Sequence, residues 1–96
     1  MAERLYLVAY DIRSARRWRR LYRLLQGYGS WVQLSVFQCR LSPQRHAELS
    51  GAMDTLIDHR EDQVLLVDLG PVETAQVKFA SFGRRYREAE VNPVVL

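Results

Sequence analysis

The sequence predicts an α+β fold of the ferredoxin-like βαββαβ type, with an additional C-terminal strand and a homodimeric state. Three observations lead there. Apolar strand-like runs and amphipathic helix-like segments follow one another in the order strand, helix, strand, strand, helix, strand. The first and last of those strands, Leu5 to Tyr10 and Val64 to Leu69, are apolar on both parities, so both of their faces ask to be covered. The chain has only 96 residues, enough for one modest core and too few for two, so a second copy is the economical cover for the helix-free face.

Leu5 to Tyr10 is rich in Leu, Val and Tyr, residues that suit a pleated surface. Ser14 then offers a capping hydroxyl to a helix whose inner positions Trp18, Leu21, Tyr22 and Leu25 recur at helical spacing, and Gly27 stops it. Trp31 to Leu41 alternates imperfectly and reads as two short pieces of strand or as one bent strand. Ser42 followed by Pro43 is a helix start by chemistry, and Leu49, Ala52, Met53 and Leu56 form its inner stripe. Val64 to Leu69 is ended by "GP". A further short strand is expected around Val77 to Phe82. The whole chain, 1–96, reads as a single domain, with 77–96 a C-terminal strand and tail, ending in "VNPVVL", that packs on the partner protomer.

Composition narrows the function. Apolar residues are 48% and charged residues 26% of the chain, which excludes a predominantly disordered state. No apolar stretch is long enough to cross a bilayer, and the charged first residues do not form a signal peptide, so a cytoplasmic location with no membrane contact is expected. Cys39 is the only cysteine; it cannot form an intrachain disulfide, and its flanks suit a packed strand thiol. His46 and His59 are not spaced as a metal pair, which leaves them surface or helix-end roles.

Charge is strongly segregated. Residues 1–45 hold nine arginines against Glu3 and Asp11, a balance of +7, whereas residues 46–76 hold Arg60 against seven acids, a balance of −6. Six of the arginines, Arg13, Arg16, Arg17, Arg19, Arg20 and Arg23, fall in and just before the first helix. A solvated face is the bland account of such a run. An arginine-only run with no acid among it favours phosphate binding instead, because the planar guanidinium fork matches phosphate geometry. The interleaved aromatics raise an RNA-stacking reading, but "SVFQCRL" lacks the glycine-aromatic signature of that kind of sheet, and aromatic core is preferred.

Asp11, at the end of the first strand, admits three roles. It can turn the chain, pair with a nearby arginine, or ligate magnesium, for which one carboxylate per protomer suffices if a twofold axis brings a second one close. The residues alone leave all three open.

The "YDI" that closes the first strand, the arginine-rich helix and "GYGSWVQLSVFQCRLS" together resemble the CRISPR-associated protein two family, the small subunit of spacer acquisition, over Leu5 to Leu69. The resemblance implies a homodimer whose last strand crosses to the partner's sheet. It places the family's metal-associated, catalytic aspartate on Asp11, with one magnesium ion shared by Asp11 of two protomers, and supporting groups on Tyr10, Arg16 and Phe37. It implies a magnesium-dependent nuclease acting on RNA or double-stranded DNA, a partnership with the CRISPR-associated integrase, and binding of the DNA that becomes a spacer. Two other readings compete with it: a toxin ribonuclease of the virulence-associated D type, and a non-catalytic ferredoxin-like interaction dimer.

Overall fold

The computed structural model describes residues 2–83. Six elements follow in the predicted order: β1 (Arg4–Asp11), α1 (Ala15–Gln26), β2 (Gly29–Gln33), β3 (Val36–Leu41), α2 (Pro43–Leu56) and β4 (Gln63–Pro71). The four strands form one antiparallel sheet in the order β2-β3-β1-β4.

Strand parity divides β1 between two environments. Tyr6, Val8 and Tyr10 face the helices and are buried, opposite Cys39 and Phe37 of β3. Trp18, Leu21, Tyr22 and Leu25 of α1 close over them with Leu49 and Met53 of α2. The rings interlock: Trp18 stacks on Tyr22 at 5.4 Å, and Tyr22 meets the edge of Phe37 at 5.4 Å, geometries that add to simple burial. Leu5, Leu7 and Ala9 take the other face, opposite Gln38, Val36, Val67 and Leu65 in the register. No described helix covers that side, and Leu65 and Val67 are left 52% and 42% exposed.

Local chemistry fixes the helix ends. The Ser14 hydroxyl accepts the Arg17 N–H at 3.2 Å, and the Ser42 hydroxyl accepts the Arg45 N–H at 3.2 Å ahead of Pro43. At the other end of α1, Arg45 lies over the Tyr28 ring at 4.1 Å and donates to the Gly27 carbonyl at 2.6 Å. A cation at a helix C-terminus answers the carbonyl end of the dipole. Gly29 is needed for closeness: a Cβ there would collide with the Gln38 carbonyl and the Cys39 sulfur of the neighbouring strand.

The Trp31–Leu41 segment resolves into two strands, with Leu34 and Ser35 at the turn between them. The "GP" signal does not stop β4 at Leu69. Gly70 takes φ +105°, the Asp68 carboxylate accepts its N–H at 2.9 Å, and pairing resumes with Leu5↔Gly70 and Arg4↔Pro71 beyond a bulge. Pro71 is tolerated because β4 is an edge strand. The strand expected over Val77–Phe82 is not formed: among the described residues, 75–82 carry no strand assignment. The apolar tail "VNPVVL" lies outside the described residues.

Candidate functional site

Asp11 is the last residue of β1 and pairs with Gln63, the first residue of β4. Its parity is that of Leu5, Leu7 and Ala9, so it stands at the end of the sheet face that no described helix covers. Its side chain is 68% exposed, and among the described residues its one ion pair is a loose contact from Arg13 Nε at 3.8 Å. A pair between two mobile, hydrated side chains contributes little, which leaves the Asp11 carboxylate accessible.

Tyr10 points the opposite way. It is buried, its N–H donates to the Ser35 carbonyl at 3.0 Å, and its hydroxyl donates to the Leu34 carbonyl at 3.2 Å. Burial, with the nearby Tyr22 adding to it, pushes the Tyr10 hydroxyl well above the usual phenol range, so near neutral pH it holds its proton. Phe37 is fully buried among Tyr10 and Tyr22. Both lie on the core side of the sheet, and neither reaches solvent beside Asp11.

The six arginines are not equivalent. Arg16, Arg19, Arg20 and Arg23 are exposed, and their spacing of three, four and seven residues makes one stripe along α1. No acid stands in that helix to balance them. Arg13 is exposed in the turn between Asp11 and α1. Arg17 is held elsewhere. Its Nε donates to Asp62 Oδ2 at 2.6 Å and its Nη2 to Asp62 Oδ1 at 3.1 Å, a bidentate pair, while Glu61 lies 3.6 Å from Nη2.

Asp62 is the residue of this region that sequence reasoning does not single out. Its side chain is wholly enclosed, and besides Arg17 it accepts the Arg13 N–H at 2.9 Å and the Asp58 N–H at 2.8 Å. The Arg17 hydrogen bonds, followed by the two backbone N–H groups, hold its carboxyl far below the usual carboxylate range against the opposing cost of burial. The signal that could have found it is the charge segregation itself: an arginine-only helix beside an acid-rich second half calls for at least one pair between them.

Asp11 alone does not make a closed metal centre. Among the described residues, no three His, Cys, Asp or Glu side chains converge on a point that could hold an ion. One exposed carboxylate nevertheless fits a magnesium ion that keeps most of its waters, as half of a two-carboxylate site. Cys39 takes no part; burial raises its thiol to about 11. The histidines lie elsewhere, His46 against Tyr6 and His59 beside Asp54. No helix among the described residues is long and apolar enough to cross a membrane.

The sequence matches relatives over most of its length. It is 49% identical over 84 residues to the CRISPR-associated endoribonuclease Cas2 of Geobacter sulfurreducens, covering 88% of each chain. It is 42% identical over 95 residues to the CRISPR-associated endoribonuclease Cas2 1 of Rhodospirillum rubrum, covering 99% of this chain and 93% of the relative. The fold superposes on the crystal structure of a hypothetical protein from Thermus thermophilus with a TM-score of 0.73 at 36% identity, over 88% of this chain and 99% of that one. The sequence model described as CRISPR associated protein Cas2 matches residues 4–77, a span that takes in Asp11, the arginine stripe and Asp62. On these grounds the chain belongs to the CRISPR-associated Cas2 family.

Proposed function

We propose that two copies of this chain, each a ferredoxin-like protomer, associate through their helix-free sheet faces and act as a metal-assisted phosphodiesterase on RNA or double-stranded DNA. The same dimer holds DNA on its arginines during CRISPR spacer acquisition, in partnership with the CRISPR-associated integrase. The observation that carries the reading is the place of Asp11: an accessible carboxylate at the end of an uncovered apolar sheet face, followed directly by the arginine segment. A second copy laid on that face covers Leu7, Leu65 and Val67 and can bring its own Asp11 near the first. The fold and the relatives named as endoribonucleases support this reading.

Each residue then has a distinct task. The Asp11 carboxylates would hold the cation between the two protomers. Magnesium held there would supply Lewis acidity at a phosphodiester oxygen and a bound water of lowered pKa. Arg16, Arg19, Arg20 and Arg23 hold neighbouring phosphates in place, contacts that position the backbone without reading its sequence. Tyr10 and Phe37 keep the strand end rigid from within the core.

Incubating the purified protein with labelled RNA and with labelled double-stranded DNA, with and without magnesium and beside Asp11→Ala, tests the proposal. Cleavage that needs both magnesium and Asp11 is expected. Equal cleavage by Asp11→Ala removes Asp11 from the chemistry.

A further inference from the structure

We infer that Asp62 is the positioning residue of this site: its enclosed carboxylate anchors the Arg13 N–H and the Arg17 guanidinium together, fixing the turn that follows Asp11 and withdrawing Arg17 from phosphate binding. The inference deepens the reading of Asp11 and α1 given above and rests on it.

Asp62 spends both oxygens on that turn. Oδ1 accepts from Arg13 N at 2.9 Å and Arg17 Nη2 at 3.1 Å, and Oδ2 accepts from Arg17 Nε at 2.6 Å and Asp58 N at 2.8 Å. Four donors on two oxygens exhaust what a carboxylate can accept. The segment after β1 is thereby held in three successive ways. Asp11 pairs with Gln63 across the ladder, Ile12 packs against the core cluster, and the Arg13 N–H is tied to Asp62. Gln63 and Asp62 are chain neighbours, so one short stretch grips both sides of the Asp11 corner.

The same carboxylate answers an electrostatic problem at the start of α1. The N-terminal end of a helix is the positive end of its dipole and favours anions, yet the first turn contains no acid, and arginines crowd it. Asp62 supplies the missing anion from 45 residues away from Arg17. A phosphate could recruit Arg17 only by displacing Asp62, whose side chain is 0% exposed against 23% for Arg17. That exchange would break a bidentate charge-assisted pair and leave the carboxylate only the Arg13 and Asp58 N–H groups. Arg17 is thus masked while the stripe beside it stays open.

The decisive variant is Asp62→Asn, which keeps the volume and one accepting oxygen but turns an amide donor toward Arg17. Two readouts should move in opposite directions. With Arg17 released, the log-log salt slope of double-stranded DNA binding should steepen by about one, while magnesium-stimulated cleavage should fall by roughly tenfold or more because the Asp11 corner is loosened. A residue that merely stabilised the fold would weaken both; that result, or an unchanged slope, overturns the inference. If Asp62→Asn does not fold, Arg17→Gln decides: its salt slope should match wild type, whereas Arg20→Gln should lose about one. Equal losses from the two variants overturn the masking. Hydrogen exchange in the unmodified protein gives a third check, since the Arg13 amide should be as protected as the amides of β1, and exchange at the rate of a free amide overturns the anchor. A wild-type protein that does not cleave with magnesium, combined with a steeper slope for Asp62→Asn, ends the reading of Asp11 and leaves the Asp62 anchor standing.

Discussion

The Tyr10 hydroxyl donates to the Leu34 carbonyl at 3.2 Å, so the last buried side chain of β1 is tied to the turn between β2 and β3. The bond crosses 24 positions of sequence and braces the residue just before Asp11 from the side opposite to solvent. Tyr10→Phe should therefore cost about 1 kcal/mol of stability, the net worth of one ordinary hydrogen bond. Cleavage per folded molecule should be unchanged. Chemical denaturation alongside initial rates tests this, and a rate loss greater than the loss of folded protein would give the hydroxyl a direct part in the chemistry.

The arginine stripe should behave as a phosphate track. Each of Arg16→Gln, Arg19→Gln, Arg20→Gln and Arg23→Gln that removes a phosphate contact should weaken binding of unrelated DNA sequences alike and lower the log-log salt slope by about one. Titrations at several salt concentrations on two unrelated duplexes measure this. Loss confined to one duplex would mean base reading, which an exposed stripe of this kind does not predict.

The uncovered sheet face should be a dimer contact. Leu65→Glu and Val67→Glu each place a charge in the middle of it without touching the core behind β1, and across a twofold axis each charge meets or nears its own copy. Sedimentation should show dimers for wild type and monomers for these variants at micromolar concentration. Dimers that survive both substitutions would move the interface to another surface.

Asp62 gives a defined pH dependence. Its carboxyl is held well below its ordinary range in the folded protein, so it contributes stability that is complete above the unfolded pKa of about 4 and is lost as pH falls through the folded value. Unfolding midpoints for wild type and Asp62→Asn should differ by a constant amount from pH 7 down to about 5 and converge below about 4. A gap that stayed constant to lower pH would assign the cost of the substitution to packing rather than to charge.

What could be read from the sequence follows from the range of each interaction. The first helix was legible because its determinants are local: the Ser14 cap, the Trp18, Leu21, Tyr22 and Leu25 stripe and the Gly27 stop all act within a few residues, and all four stripe residues are buried. The second helix is legible for the same reason, although of its stripe only Leu49 and Met53 are buried and Ala52 and Leu56 are half-buried. The hairpin at Leu34 and Ser35 is ambiguous in the sequence between one strand and two, since neither residue carries the Gly or Asn signal of a tight turn. Gly70 reads as an ending in the sequence because a glycine that serves a bulge and one that closes a strand look alike until the partner strand is known. Around the site, Asp11 and the arginines stood out by type and crowding. Asp62 did not, since nothing in its neighbourhood of sequence reveals the helix it serves.

That long reach from Arg17 to Asp62 has a consequence for how the chain comes into being. Synthesis delivers the basic half first and the acidic half later, so a nascent chain that has completed α1 carries the five arginines of that helix before Asp62 exists to pair with Arg17, in surroundings rich in ribosomal and messenger RNA. The four polar contacts of Asp62 form only when the stretch ahead of β4 arrives, and β4 then joins β1 as its outer neighbour. Until Asp62 is in place, Arg17 is open to polyanions from which the finished protein withholds it.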